Sequence, residues 1–268
     1  MLRRWIQVFS VFVTNGYLIG FWGGTIYQGP AKFLCHPGLN CYSCPGALMA
    51  CPIGTAQHLI GYGRYRVPFL VLGFVGILGA CIGRMVCGWV CPFGFLQDAL
   101  YKVPSIKLKV PRFLTYFKYV VLVVGIAILP GIASAPFENQ PWFCKLCPAG
   151  TLEAGLPLVL ANPDFRSGLG LFFAFKIVVL VGFLMWMICA KRPFCRTVCP
   201  LGAFYSLFNR VSLFRLHVDE EKCIQCGYCR RVCPMGIDIT QDANQVDCIR
   251  CLDCLKCPAG AITKQWGG

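Results

Sequence analysis

The sequence predicts an α-helical membrane fold. About four transmembrane helices form two pseudo-repeats over residues 1–215, and a small cysteine-dense domain follows at 216–268. Three observations predict it. The chain is 57% hydrophobic with a mean hydropathy of +0.63, too apolar for an ordinary soluble domain. Four stretches are long enough to span a bilayer or nearly so. One cysteine frame occurs twice: C-x2-R-x2-C-x3-C-P-x-G at residues 81–94 and again at 189–202, 108 residues later.

The four stretches are Trp5–Gln28, Val67–Gly83, Phe113–Ala133 and Leu169–Ala190. Thr14 and Asn15 interrupt the first, which reads as an anchor rather than a cleaved signal. Basic residues set the orientation. Arg3 and Arg4 precede the first stretch. Arg84, Lys102, Lys107, Lys109 and Arg112 lie between the second and third, and Lys191, Arg192, Arg196, Arg210 and Arg215 follow the fourth. Both termini are therefore expected on the cytoplasmic side of the inner membrane. Arg64 and Arg66 beside the second stretch run against this bias.

In the repeated frame Cys81 matches Cys189, Arg84 matches Arg192, Cys87 matches Cys195 and Cys91 matches Cys199. A Cys-x2-Cys-Pro precedes each copy, at Cys41/Cys44 and at Cys144/Cys147. Repeats of this kind put a membrane protein's site where the halves meet. Proline holds the preceding cysteine extended, and the glycine lets the backbone turn close to a bound group. Short helical runs are expected after the Cys-Pro steps, at 95–101, 203–209, 54–60 and 151–160, the outer ones as re-entrant segments.

Twenty cysteines in a chain this large and apolar do not read as a disulfide scaffold. Their spacings are those of metal clusters. Cys223-x2-Cys226-x2-Cys229-x3-Cys233-Pro234 is the bacterial ferredoxin run of a 4Fe-4S protein. Cys248-x2-Cys251-x2-Cys254-x2-Cys257-Pro258 follows, one residue short before its last cysteine. In the crossed scheme Cys223, Cys226, Cys229 and Cys257 hold one cluster, and Cys248, Cys251, Cys254 and Cys233 the other. A zinc module would favour two separated pairs with a long spacer.

Within the membrane part, two cysteines per half cannot complete a four-thiolate site, but two symmetry-related pairs can. An inner cluster is expected from Cys87, Cys91, Cys195 and Cys199. An outer one would use Cys41, Cys44, Cys144 and Cys147, and three alternatives stay open. Cys51, in a Cys-Pro-Ile-Gly-Thr like Cys147-Pro-Ala-Gly-Thr, could replace Cys41. Cys35, Cys41, Cys44 and Cys51 could close a site alone. The pairs within each half could combine if their loops re-enter deeply. Cys81 and Cys189 are read as packing residues at helix ends, and with Cys35 as the weaker ligand candidates.

The formal charge of +14 does not point to nucleic acid. Each cubane with four thiolates carries roughly −2, and much of the remaining excess is topological. Lys118 lies near the inner surface and is expected to snorkel. Lys176 lies about 10 Å along its helix, and it, Arg84 and Arg192 are candidates for balancing cluster charge. His36 and His58 read as surface or packing residues, with quinol deprotonation as the functional alternative. His217 reads as linker.

The combination of Cys87-Gly-Trp-Val-Cys91-Pro-Phe-Gly, Cys195-Arg-Thr-Val-Cys199-Pro-Leu-Gly and the two ferredoxin runs resembles the NapH/NosR-type membrane iron–sulfur proteins over about residues 65–265. The resemblance implies an electron-transfer subunit of anaerobic respiration, taking electrons from quinol in some members. The outer cysteines exceed what that family suggests, and no stretch of the sequence reads as a flavin-binding extracytoplasmic domain, so quinol oxidation is not expected to carry over simply.

The expectation is a membrane-bound electron-transfer subunit of an oxidoreductase complex. It would carry two C-terminal 4Fe-4S clusters and two more in the membrane domain, and would meet lipid and a redox partner protein. The rivals are a NapH-like quinol dehydrogenase, with quinone as a further ligand, and a CcoG-like metal-centre maturation protein.

Overall fold

Proline sets where several of the helices begin. The computed structural model describes residues 2–62, 68–132, 142–167 and 169–267. Arg64, Arg66, Val67 and Ala133 of the sequence expectations lie outside them. Helices start at the proline of four of the Cys-Pro steps: Pro52–Tyr62, Pro92–Leu100, Pro148–Gly150 and Pro200–Phe208. Each begins two or three residues earlier than its sequence expectation. Proline's missing N–H is one of those a helix leaves unpaired at its first turn anyway. The preceding cysteines are extended as expected, with φ/ψ of −69/117° at Cys91, −65/112° at Cys199 and −64/119° at Cys147.

The four predicted stretches fare differently. The fourth is one helix, Leu171–Cys189, of mean hydropathy 2.5, and it is the one helix among the described residues long and apolar enough to cross a membrane. The second is shorter, Phe69–Ile82. The third is a chain of pieces, Phe113–Tyr116, Phe117–Val120, Val121–Ile128 and Leu129–Ile132, with Val121–Ile128 wound as a π-helix. The first is not a single helix. Leu2–Thr14 ends where Thr14 and Asn15 fall, and a short helix, Ile19–Gly23, follows. Here the Thr14 hydroxyl donates to Ser10 O, and the chain turns to bond Gly46 and Leu48 of the next loop. Four continuous spans are therefore not seen.

The C-terminal segment is tied by a two-stranded antiparallel sheet, β1 (Phe214–Val218) paired with β2 (Ile262–Trp266). The cysteine runs lie between these strands. β1 starts two residues before the expected domain boundary and stays continuous with the helical part, where Leu213 N bonds Ala80 O. His217, read as linker, is a strand residue opposite Thr263. One buried core runs through both parts, from Val75, Cys87 and Phe93 to Cys199 and Tyr205 and on to Met235 and Ile249.

Candidate metal centres

The two halves meet at the repeated frame. Phe93 and Phe194 pack edge to face with centroids 5.0 Å apart. Beside them Cys87, Cys91, Cys195 and Cys199 are buried and lie within electrostatic reach of one another. The symmetry-related pairs are thus brought into one quartet. Cys81 and Cys189, half-buried at their helix ends, are not among the electrostatic neighbours of these thiols.

Each half's arginine reaches into the other half. Arg192 Nη1 donates to Cys87 O at 2.6 Å, and Arg84 Nη2 donates to Cys195 O. Both guanidinium groups are almost completely buried, at 1% and 0% exposure. The glycines of the frame make room for them. A Cβ at Gly94 would lie 3.2 Å from Arg192 Nη1, and one at Gly202 2.8 Å from Arg84 Nη2. Four further donors point at the thiols themselves. Gln97 Nε2 lies 2.9 Å from Cys195 Sγ, Gly202 N 3.3 Å from Cys199 Sγ, and Gly94 N and Leu39 N each 3.4 Å from Cys91 Sγ.

The charges of the two arginines are matched from different places. Arg192 makes two 2.6 Å bonds to Asp98, within the repeat part. Burial would raise the Asp98 carboxyl, but Arg192 and then Arg3 hold it below the usual carboxylate range. Arg84 pairs with Asp247 of the C-terminal segment at 3.1 Å. The repeat offset of 108 would put the counterpart of Asp98 at residue 206, which is serine. Lys118 joins the Arg84 pair through the same Asp247 oxygen. It is fully buried, so the expected snorkelling is corrected: an acid from a sequence-distant segment holds the ammonium inside. Lys176 stays partly accessible, with its ammonium over the Phe172 ring.

The outer cysteines form a second group. Cys41, Cys51, Cys144 and Cys147 are electrostatic neighbours of one another. A Cβ at Gly150 would lie 3.5 Å from Cys41 Sγ and one at Gly54 3.7 Å from Cys144 Sγ. Cys44 does not join them. Its thiol faces Glu153 and the buried Lys32. Cys51 thus stands where Cys44 was expected, and the sequence held a signal for it. Cys51-Pro-Ile-Gly keeps the Cys-Pro-x-Gly frame of Cys91, Cys147 and Cys199, whereas Cys44-Pro-Gly does not. Cys35 sits apart near Thr55. Glu153, missed in the sequence, accepts from Cys41 N at 2.7 Å, and burial raises its carboxyl to about 7.

The loop that carries Leu39 and Cys41 joins the two groups. Leu39 N reaches Cys91 of the inner quartet, and two residues on Cys41 belongs to the outer one, a separation of at most about 7 Å along the chain. His36 is buried against the same place, with its Nε2 2.9 Å from a Cβ at Gly38, and burial lowers it to about 4. Its Nε2 is buried without a hydrogen-bond partner among the described residues. His58 is exposed.

In the C-terminal segment Cys233 is an electrostatic neighbour of Cys248, Cys251 and Cys254. Cys223 lies near Cys229. Cys233 thus lies among the cysteines of the second run, as the crossed scheme expects of it. Cys226 is exposed and Cys257 half-buried. The segment is locked onto the inner quartet. Asn209 Nδ2 donates to Cys248 O at 2.7 Å and its Oδ1 accepts from Arg84 N at 2.9 Å. Trp89 Nε1 donates to Arg250 O at 3.0 Å. Gly83, at φ +58°, ends the Phe69–Ile82 helix where any side chain would strike Arg250 and Asn209.

Among the described residues no three His, Cys, Asp or Glu side chains converge closely enough for a single metal ion. A cubane carries one iron per thiolate, so its ligands stand further apart than those of one ion. The donor set fits such a group in two ways. Burial pushes the Cys248 thiol up to about 11 and Cys254 to about 12, so a bare thiolate is disfavoured and bound iron would supply the missing positive charge. Several donors around the thiols are buried without a partner: Arg84 Nε, Asn40 Nδ2, and Arg250 Nε and Nη1. Cluster sulfides are acceptors for such groups.

Comparison with known proteins agrees. A 4Fe-4S binding domain model matches residues 63–111 and 171–218, the two repeats, and a second 4Fe-4S binding domain model matches 216–237. An uncharacterized protein of Methanocaldococcus jannaschii is 34% identical over 223 residues, 79% of this chain and 76% of its own. The methylamine utilization ferredoxin-type protein MauN of Paracoccus denitrificans is 30% identical, over 85% of this chain and 72% of its own. The ferredoxin-type protein NapH of Haemophilus influenzae is 28% identical over 64% of this chain, which spans 54% of that protein. No solved structure matches. Repeated 4Fe-4S frames, a ferredoxin run and these relatives together place the chain in the NapH/NosR-type family of ferredoxin-type, iron–sulfur electron-transfer proteins.

Proposed function

We propose that the chain is a membrane-bound electron-transfer subunit that relays single electrons between a cytoplasmic-side partner and the outer side of the membrane. The observation that carries the reading is the serial contact of three thiol groups. Cys248 O bonds Asn209, which bonds Arg84 beside the inner quartet, and Leu39 on Cys91 leads within two residues to Cys41. The clusters, when bound, supply a one-electron change at each station. The protein's own residues hold the thiolates, donate hydrogen bonds to them and place cations beside them. Subdividing a hydrocarbon core of about 30 Å into short steps is what cysteine groups at several depths achieve.

Membrane insertion is supported by apolar surface. Only 11% of the Leu171–Cys189 apolar window is buried within the protein, so this is no soluble core helix. Phe69, Leu70 and Ile77 on one helix and Leu171 and Val178 on another are each at least 67% exposed, a surface that lipid would cover. The proposed ligand sets are Cys87, Cys91, Cys195 and Cys199; Cys41, Cys51, Cys144 and Cys147; Cys233, Cys248, Cys251 and Cys254; and, from the crossed ferredoxin scheme, Cys223, Cys226, Cys229 and Cys257.

Anaerobic iron and acid-labile sulfide analysis with EPR tests this reading. About sixteen irons per chain are expected for four cubanes. Changing Cys87 and Cys195 to serine should remove about four and one EPR signal. Retention of all iron in that variant would refute the inner site. Changing Cys44 to serine should leave the iron content intact, and changing Cys51 should not.

A further inference from the structure

A cleft of about 420 Å³ opens where the Leu2–Thr14 helix, the Pro92–Leu100 helix and the C-terminal segment meet. Seven of its fifteen lining residues are basic and two are acidic. The acids are already committed. Asp98 pairs with Arg192 and Arg3, and Asp253 pairs with Arg3. Of the other five bases, Lys191 is half-buried and donates to Arg231 O and Cys233 O, and the remaining four, Arg4, Lys102, Arg231 and Lys256, are exposed. None of their side chains has a hydrogen bond or an ion pair among the described residues. The cleft therefore has a neutralised floor and an unpaired cationic rim.

Its position adds a second argument. Cys233 lines it directly. Tyr228 and Arg231 lie on the Tyr228–Val232 helix that carries Cys229, and Lys256 precedes Cys257. On the other wall Gln97 bonds Cys195 Sγ and Arg192 bonds Cys87 O. One concave site thus adjoins residues of both C-terminal thiol groups and of the inner quartet. Stability does not call for a cationic rim there, because unpaired like charges repel. A steering field for an anionic visitor does.

We propose that this cleft is the docking site of an acidic, soluble one-electron carrier protein that exchanges electrons with the chain. The inference rests on the electron-transfer reading and names its partner. In each encounter one electron crosses: the carrier is oxidised as this chain is reduced, or the reverse, and no bond is made or broken. Complementary charge sets the encounter rate and its salt dependence.

The test uses the full chain with its iron in neutral-lipid nanodiscs and two electron donors. One is a reduced, acidic two-cluster bacterial ferredoxin, and the other is the reduced methyl viologen cation, which needs no basic rim. The variant is Lys102→Glu with Lys256→Glu. Stopped-flow reduction by ferredoxin should be at least about tenfold slower in the variant at low salt, with the difference closing as salt is raised. Reduction by methyl viologen should not slow. Equal ferredoxin rates in the two proteins overturn the inference. So does equal slowing with both donors, which would assign these lysines to cluster integrity. Loss of binding to phosphatidylglycerol vesicles with ferredoxin rates unchanged overturns it in favour of a lipid site. If methyl viologen leaves the wild-type chain unreduced, the electron-transfer reading itself fails, an outcome distinct from the others.

Discussion

The two halves of the chain present the same frame to the inner quartet and neutralise it differently. Arg192, from the second half, finds its carboxylate on the first-half helix that follows Cys91. Arg84, from the first half, finds none on the matching second-half helix, where Ser206 bonds Tyr119 instead. Its acid is Asp247, 163 residues further along the chain. The difference teaches what the C-terminal segment is for structurally. It is not a tethered module. It completes a charge arrangement that the repeat leaves open on one side, and so fixes its own cysteines against the inner ones.

The comparison breaks most visibly at Asp247. Changing it to alanine strands Arg84 and Lys118, two buried cations held by one carboxylate. Breaking a buried pair by removing one partner costs about 3–5 kcal/mol. The apparent melting midpoint should fall, and limited proteolysis should release the segment from about residue 214 onward. Asp98→Ala strands Arg192 alone, and Arg3 loses one of its two acids. A similar loss of stability is expected, but without release of the segment, which Asn209 and Trp89 still hold. Equal release in both variants would erase the distinction between the halves.

Less of this asymmetry than of the frame was legible in the sequence. The paired Cys87/Cys91 and Cys195/Cys199 could be read because spacing, proline and glycine repeat together at a fixed offset. Asp98 and Asp247 could not, because single acids far apart carry no periodic signal. Lys118 was misread for the same reason, since its partner is 129 residues away. The first apolar stretch was read as a span on composition, although Thr14 and Asn15 marked the point where the backbone turns to pair with the next loop. Cys51 was weighed as a replacement for Cys41 rather than for Cys44, although Cys44-Pro-Gly lacks the glycine two positions after proline that Cys51-Pro-Ile-Gly shares with the other Cys-Pro-x-Gly steps.

A second contrast, between inner and outer quartets, sharpens the first. Two buried cations flank the inner thiols, whereas the buried Glu153 flanks the outer ones. Reduction adds negative charge, so a neighbouring cation raises a centre's potential and an anion lowers it. A unit charge roughly 6 Å away at an effective dielectric near 20 is worth about 3 kcal/mol, or on the order of 100 mV for one electron. Arg84→Gln should therefore lower the inner midpoint by up to that amount. Lys118 stays to hold Asp247, so the fold should survive. Glu153→Gln should raise the outer midpoint, and by less, because a carboxyl that burial raises to about 7 is only partly ionised at neutral pH. Potentiometric EPR titration reads both. Shifts of the same sign would refute the assignment of charges.

The smallest effect concerns pH and returns to the Arg192–Asp98 pair. Asp98 is held below its unfolded value of about 3.9, by Arg192 against the opposing effect of burial. A carboxyl with a depressed folded pKa stabilises the fold above its unfolded pKa and loses that contribution only as pH falls through the folded value. Between pH 8 and pH 5 the carboxylate stays ionised in both folded and unfolded chains. The stability difference between wild type and Asp98→Asn should therefore be flat across that window. A difference that shrinks between pH 7 and pH 5 would mean that Asp98 titrates there, and that Arg192 is not held as the bidentate geometry implies.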